Sequence, residues 1–133
     1  MLFEVKNIAL AVPYKKAFDY LSDNSKLPEW TNAFAEVKDN GEALMRTGAG
    51  EVPVKLENIL DPRTGIIDTI MTFPNGDVGK AHSRLIPLDD QSCAYSFILT
   101  PPPVALEELE GALAEQSGIL EKELVKLKTI LEG

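Results

Sequence analysis

The chain contains 133 residues, 44% of them apolar, and has a formal net charge of −8 at pH 7. This length predicts a single domain over residues 1–133 with a buried core of its own. The acidic surface repels phosphate groups, so nucleic acid is not expected as a partner. No apolar run reaches the roughly 18 residues of a membrane span. The N-terminus has no signal-peptide pattern, which predicts a cytoplasmic protein.

The first predicted elements are a strand and two short helices. Positions 3–12 are rich in β-branched and apolar residues, which favours a strand. Pro13 then favours the start of a helix, because proline is tolerated in the first helical turn. In that helix apolar side chains recur at helical spacing, at Ala17, Phe18 and Leu21. The segment SKLPEW predicts a second short helix with Trp30 as its apolar anchor.

From Ala33 onward the apolar residues recur with the period of two that is typical of strands. Turn signals interrupt this pattern at Asn40-Gly41, Asp61–Gly65, Asn75-Gly76 and Leu88–Ser92. They predict a meander of six strands at 33–39, 42–48, 51–60, 65–73, 77–87 and 92–100.

The last third of the sequence predicts a long helix. TPPPV at 100–104 indicates a linker, because prolines end the strand before it. Leucines then recur at three- and four-residue spacing from position 106, with a gap at Gln116-Ser117. A helix of nearly 30 residues is about 40 Å long and must bury its leucine stripe against a broad surface. The predicted sheet is the surface available.

Three segments add to this order of elements: AVPYKKAFDYLSD with LPEW, RLIPLDDQSCAYSFIL, and ELVKLKTILE. Together they resemble the helix-grip fold of the START-like (SRPBCC) superfamily, in particular its polyketide cyclase/dehydratase-like branch. It implies an α+β fold in which a curved antiparallel sheet of six to seven strands wraps around a long C-terminal helix. It further implies a cavity between sheet and helix that binds a small hydrophobic molecule, such as a lipid. It does not imply one reaction, because a fold alone does not determine function.

Turn lengths combined with strand alternation predict which side chains face the cavity. A two-residue turn at Asn75-Gly76 and a five-residue turn at Asp61–Gly65 set the register. The predicted cross-strand pairs are Asp68 with Ser83, Thr69 with His82, Asn58 with Asp68, Leu85 with Tyr95, and Ser83 with Phe97. The inner face then carries Val54, Leu56, Asn58, Leu60, Ile66, Asp68, Ile70, Thr72, Gly79, Ala81, Ser83, Leu85, Tyr95, Phe97 and Leu99. The outer face carries Lys55, Glu57, Ile59, Ile67, Thr69, Met71, Lys80, His82, Arg84, Ser96 and Ile98.

The ligand-binding residues predicted from this register lie on the inner face, on the second short helix and at the leucine gap: Asn58, Asp68, Ser83, Tyr95, Phe97, Trp30, Leu56, Ile70 and Ser117. Asp68 is a candidate general base or ligand anchor, because a carboxylate on an apolar wall needs hydrogen bonds or a raised pKa. The alternative is a solvated aspartate near the mouth, or one bonded to Asn58 and Ser83. Tyr95 is either a proton donor in the cavity or a core residue with its hydroxyl bonded.

The single histidine, His82, is predicted on the outer face, away from the site. Cys93 is expected to be a buried thiol. One histidine and one cysteine without ligand spacing predict no metal, and no cofactor is expected. Apolar residues among the outer charges suggest a homodimer face at Ile59, Ile67, Met71 and Ile98. A monomer and a homodimer both remain open.

Three functions are compatible with these patterns. The first is a carrier or sensor that binds a small hydrophobic or aromatic molecule. The second is a cyclase/dehydratase-like enzyme that uses Asp68 or Tyr95 in the same cavity. The third is a small interaction domain whose core is filled. A cavity of roughly 300 Å³ or more distinguishes the first two from the third.

Overall fold

The structure is a computed structural model and describes residues 3–47, 50–100 and 106–133. Seven strands form one antiparallel sheet in the order β1-β7-β6-β5-β4-β3-β2. The strands are β1 (Glu4–Leu10), β2 (Phe34–Val37), β3 (Glu42–Thr47), β4 (Gly50–Asp61), β5 (Ile66–Thr72), β6 (Val78–Asp89) and β7 (Ser92–Leu99). The helices are α1 (Tyr14–Leu21), α2 (Leu27–Trp30) and α3 (Leu106–Glu132). The predicted α+β helix-grip architecture is therefore confirmed.

The element boundaries differ little from those predicted. SKLPEW enters α2 through a single 3₁₀ turn, Asn24–Lys26, which the Asp23 carboxylate caps by accepting the Ser25 amide at 3.0 Å. β2 ends at Val37, because the chain turns there and the Lys38 amide donates to the Glu42 carbonyl oxygen at 2.7 Å. Apart from Thr100, the predicted linker TPPPV lies outside the described residues.

The register of the central strands is partly as predicted. The pairs Ser83 with Phe97 and Leu85 with Tyr95 are confirmed between β6 and β7. The predicted pairs on either side of β5 are wrong by one residue. The observed pairs there are Ile67 with Ser83, Asp68 with His82, Thr69 with Ala81, Asn58 with Thr69, and Leu56 with Met71.

Pro74 explains the first register error. A two-residue turn at Asn75-Gly76 would require the amide of residue 74 to donate to residue 77, and proline has no N–H. The chain instead makes a three-residue loop, in which the Phe73 amide donates to the Asp77 carbonyl oxygen at 2.9 Å. Gly76 closes this loop with a φ of 90°, which is the glycine-bulge form of a hairpin. One extra loop residue reverses the face of every side chain on the adjoining strand.

The second error comes from the turn between β4 and β5. Asp61 belongs to the ladder and pairs with Ile66, so the loop has four residues instead of five. The Gly65 amide donates to the Asp61 carbonyl oxygen at 2.7 Å. Gly65 has a φ of 82°, and a Cβ atom there would lie 1.7 Å from the Leu85 carbonyl oxygen. Only glycine allows the loop to lie this close to β6.

The first error reverses β5 relative to β6, and the second reverses β5 relative to β4. Of the four strands with a predicted face, only the face of β5 is therefore reversed. β4 and β6 keep their predicted faces, as buried Leu56, Ser83 and Leu85 show. On β5 the predicted inward residues Ile66, Asp68, Ile70 and Thr72 point outward, because buried Ile67 alternates with them. The inward residues of β5 are Ile67, Thr69 and Met71, so Ile67 and Met71 cannot belong to the predicted dimer face.

The described residues form two apolar clusters. The larger one joins α1, α2, β1, β5, β6, β7 and the second half of α3, and its fully buried members include Leu10, Leu85, Cys93 and Leu127. The smaller one joins β2, β3 and β4 through Phe34, Ala43, Val54 and Leu56. Leu27 of α2 packs against both clusters. The predicted buried state of Cys93 is confirmed, and burial raises the pKa of its thiol.

The C-terminal end of α3 is tied to the edge strand β1 and to its continuation. Lys128 Nζ donates to the Ala9 carbonyl oxygen at 2.9 Å, and the Ala11 amide donates to Glu132 Oε2 at 3.0 Å. Lys16 of α1 donates to the Leu131 carbonyl oxygen at 3.0 Å, which satisfies part of the helix terminus. These bonds fix the second half of α3 against β1. As an edge strand, β1 has backbone groups on one side that no neighbouring strand pairs with.

Candidate functional site

The polar side chains of the inner face are arranged differently from the predicted row. Asn58 pairs with Thr69 in place of Asp68, whereas Ser83 lies in the next row, opposite Ile67. The side chains of Asn58, Thr69 and Ser83 each make a hydrogen bond. These three polar side chains therefore form part of the hydrogen-bonded scaffold of the fold.

Asn58 connects the sheet to the segment after α1. Its Nδ2 donates to the Asn24 side-chain oxygen at 3.0 Å and to the Ser22 carbonyl oxygen at 3.3 Å. Its Oδ1 accepts the Thr69 hydroxyl at 3.2 Å. With both ends of its amide bonded, Asn58 positions the 3₁₀ turn over β4 and has little capacity left for a ligand.

Tyr95 lies in the filled part of the interior. Its side chain is 3% exposed and its ring packs edge-on against Trp30, with 6.3 Å between the centroids. Burial raises the pKa of Tyr95 to about 12, a hydrogen bond with Ser83 opposes this rise, and the nearby Glu123 carboxylate adds to it. Ser83 itself donates to the Ile67 carbonyl oxygen at 2.6 Å. Tyr95 therefore stays a neutral proton donor over the whole physiological range.

Four further predicted residues lie in separate places. Trp30 and Leu56 are buried in the larger and the smaller cluster, respectively. Ser117 is buried on α3 and donates to the Glu4 carboxylate of β1, so the leucine gap of the helix meets the edge strand. Phe97 points inward from β7 and is half-buried.

Asp68 and Ile70 lie on the opposite side of the sheet from the predicted site. Asp68 Oδ2 is 3.3 Å from His82 Nδ1, and Asp68 Oδ1 accepts the Ser83 amide at 3.3 Å. His82 is on the outer face, as predicted, but opposite Asp68 instead of Thr69. The proposed role of Asp68 as a base in the cavity is therefore wrong, since its carboxylate does not face the interior.

Glu123 of α3 is a residue that the sequence reasoning missed. It is half-buried, and its Oε2 accepts the Asn32 amide at 2.7 Å, just beyond the end of α2. Burial raises the pKa of Glu123, and the Asn32 amide partly opposes this rise. Its charge also influences Tyr95. Glu123 is thus a carboxyl group with a raised pKa that interacts electrostatically with the neutral phenol of Tyr95.

A strip of the inner face remains incompletely covered. It consists of half-buried, inward-pointing residues of β5, β6 and β7, and we refer to it as the concave strip: Thr69, Met71, Gly79, Ala81, Phe97 and Leu99. The outward-pointing Ile66, Asp68 and Ile70 of β5 are also half-buried. On β5 the inward-pointing Thr69 and Met71 are therefore covered no more completely than their outward neighbours Asp68 and Ile70.

The direction of α3 places the concave strip near the start of this helix. Glu132 bonds to Ala11 at one end of β1, and Ser117 bonds to Glu4 at the other end. Glu4 pairs with Leu99, which belongs to the strip. The first half of α3 therefore lies at the strip end of the sheet, while the second half lies over the filled cluster.

Two surface depressions have been found among the described residues. One, of about 500 Å³, is an open groove along α3 at Gly118, Glu121, Lys122 and Val125. The other, of about 220 Å³, lies between the 3₁₀ turn and the β2–β3 hairpin, with Asp23, Asn24, Lys38 and Asp39 among its walls. Neither depression includes a residue of the concave strip.

Metal sites and membrane-spanning helices are absent from the part of the chain that the structure describes. Within residues 3–47, 50–100 and 106–133, no three histidine, cysteine, aspartate or glutamate side chains come together as metal ligands. Among the helices described there, none is both long and apolar enough to cross a membrane.

Comparison with known proteins adds the fold relationship. No family model matches the chain, and no curated protein matches it by sequence. Solved structures do match over nearly the whole chain. An uncharacterised protein from Bacillus thuringiensis has a TM-score of 0.71 at 13% identity, covering 99% of this chain and 100% of its own.

Two further matches have informative names. The Zhui aromatase/cyclase from Streptomyces sp. R1128 has a TM-score of 0.65 at 13% identity, covering 98% of this chain and 90% of its own. A START superfamily protein from Mycobacterium smegmatis has a TM-score of 0.63 at 14% identity, covering 98% and 97%. The chain has the START-like helix-grip fold. At such low identity the helix-grip likeness concerns the fold, and function has to be argued from the site.

Proposed function

We propose that the protein binds a small hydrophobic or aromatic molecule on the concave strip, as a carrier or sensor. The observation that supports this proposal is the half-buried state of inward-pointing Met71, Phe97 and Leu99. Apolar side chains inside a fold are normally covered, because leaving them in water forgoes about 25 cal/mol per Å². A bound apolar molecule would complete their burial.

The small side chain at the centre of the strip supports the same proposal. Ala81 points inward on β6, opposite Thr69 of β5, whereas the end of the Met71 side chain and the Phe73 ring lie over the neighbouring inward position, Gly79. A flat molecule on the strip would therefore lie over Ala81. A solved structure with the same START-like fold is named as an aromatase/cyclase, which supports a ligand of this general class.

The experiment is to fill the space over Ala81 and measure binding of the fluorescent probe 8-anilinonaphthalene-1-sulfonate. Ala81→Leu adds bulk on the inner face, and Ala94→Leu adds the same bulk on the outer face of the neighbouring strand β7. We expect the native protein and Ala94→Leu to bind the probe with similar affinity. Ala81→Leu should bind it at least about tenfold more weakly, a change of about 1.4 kcal/mol.

Near-ultraviolet circular dichroism checks that both variants remain folded. Equal probe binding by the two folded variants would contradict the proposed location. If the native protein did not bind the probe or any co-purified molecule, the third alternative, an interaction domain with a filled core, would be favoured.

A second candidate function is proton transfer to a bound carbonyl or enol compound, as in a cyclase/dehydratase-like enzyme. It is favoured by Glu123, because a carboxyl group whose pKa is raised by burial holds its proton to higher pH, and by Tyr95, a neutral phenol whose pKa the Glu123 charge helps to raise. Tyr95 keeps in this proposal the role predicted from the sequence, and Glu123 takes the role assigned there to Asp68.

Native mass spectrometry of ligands that co-purify with the protein tests this second function. Glu123→Gln keeps an oxygen that can accept the Asn32 amide but cannot exchange a proton at neutral pH. If the protein is an enzyme, the variant should accumulate a ligand that differs in mass from the one in the native protein, by water for a dehydration. Identical ligands in both proteins would leave binding as the function.

A further inference from the structure

The outer face of the sheet carries a row of four side chains that is self-complementary. The row crosses neighbouring strands in the order Ile59, Asp68, His82 and Ile98. Ile59 is 53% exposed and Ile98 41% exposed. The order is therefore apolar, acidic, basic, apolar. When a second, reversed copy is laid on it, each acidic position meets a basic one and each apolar position meets an apolar one.

The acidic and basic members of this row are already held in place. His82 Nδ1 lies 3.3 Å from Asp68 Oδ2, and the Ser83 amide fixes the other carboxylate oxygen at 3.3 Å. A side chain that is fixed before association loses little conformational entropy when it is buried. The apolar surface continues past Ile98 to Val5 on β1, which pairs with it and is also exposed.

We propose that a second copy of this chain docks on this face, with a two-fold axis parallel to the strands between β5 and β6. Such an axis exchanges β5 with β6 and β4 with β7, so an isologous interface forms. Asp68 of each copy then faces the histidine at position 82 of the other, and Ile59 faces the isoleucine at position 98. The two sheets stack as aligned sheets do in β-sandwiches, about 10 Å apart.

The charges around the row favour a second copy over an unrelated partner. Glu57 on β4 lies to the acidic side of the proposed axis and Lys80 on β6 lies to the basic side, in the row next to it. The same rotation sets Lys80 opposite Ile70 of the other copy, one strand away from Glu57 of that copy, so unlike charges lie next to one another across the interface. The chain as a whole carries a charge of −8, so two copies attract only where acidic and basic side chains are arranged in this way.

Sedimentation velocity of the full chain at about 1 to 100 µM tests the proposal. We expect the native protein to dimerise within this range. Ile98→Lys places two lysines in the interface and should raise the dissociation constant by about 30-fold or more. Val125→Lys makes the same change at an exposed site on α3 and should leave the dissociation constant unchanged.

A charge exchange identifies the pairing itself. His82→Asp alone sets carboxylates against carboxylates across the interface, and Asp68→His alone sets histidines against histidines, so each should weaken the dimer. The double variant Asp68→His with His82→Asp restores the complementary order and should restore the dimer. A native protein that stays monomeric at about 100 µM would overturn the proposal. A native dimer that Ile98→Lys does not weaken would also overturn it.

Discussion

The two ends of the concave face differ in how completely they are packed, although the same strands run through both. At the end covered by the second half of α3, Leu10, Leu85, Cys93 and Leu127 are fully buried. At the end where α3 begins, the concave strip stays half-buried. Lys128 and Glu132 tie α3 to Ala9 and Ala11 at the first end, and Ser117 ties it to Glu4 at the second. The helix is therefore held to β1 at both ends, and the ends differ in how far the inward side chains of the sheet are buried.

The largest expected effect separates the two ends by their stability. Leu127→Ala removes a side chain that is 0% exposed and should lower the free energy of unfolding by about 2 to 5 kcal/mol. Met71→Ala shortens a half-buried side chain of the concave strip and should cost about 1 kcal/mol. Urea denaturation followed by circular dichroism measures both changes. Equal losses would show that the strip is as well packed as the rest of the core.

The order and type of the elements could be predicted from the sequence because each carries its own local signal. The leucine stripe, the alternating strands and the turn residues all act over a few neighbours. The faces of β6 and β7 were also predicted, although the turn between them is closed by Asp89 and Ser92 and is shorter than predicted. A β-bulge between Pro87 and Asp89 compensates and preserves the pairs Leu85 with Tyr95 and Ser83 with Phe97.

The face of β5 could not be predicted because it depended on the exact length of two loops. Pro74 carries a signal that was overlooked, since a proline cannot complete the narrow hydrogen-bonded pair of a two-residue turn. Asp61 carries no comparable signal, because an aspartate is common both at a strand end and in a turn. Asp68 was therefore assigned to the wrong face, and its partners are His82 and the Ser83 amide instead of Asn58 or a ligand.

Glu123 could have been found from the helical spacing alone. It lies three residues after Leu120 and four before Leu127, which puts it on the edge of the buried stripe. The carboxylate of a glutamate at such a position either reaches solvent through its long side chain or forms a hydrogen bond with a neighbouring element. Which of these applies depends on Asn32, whose amide becomes free beyond the end of α2, and that contact spans 91 residues of sequence.

A smaller effect tests whether the filled end of the interior contains a carboxyl group whose ionised form is disfavoured by burial. Because burial raises the pKa of Glu123 in the folded protein, the folded state holds the proton more tightly than the unfolded chain does. Stability should therefore fall as the pH rises from the ordinary value of 4.5 through the raised folded value, and stay reduced above it. Glu123→Gln removes this titration and keeps an acceptor for the Asn32 amide. We expect the variant to gain stability relative to the native protein as the pH rises.

Urea denaturation of both proteins across this pH range gives the difference directly, since all other titrating groups are common to the two. Glu115→Gln, on an exposed position of the same helix, is the charge-matched control. If the Glu123→Gln protein lost stability relative to the native protein as the pH rose, the ionised carboxylate would be the favoured form in the fold. Glu123 would then be a structural acceptor for Asn32, and the acid–base function proposed for it would lose its physical basis.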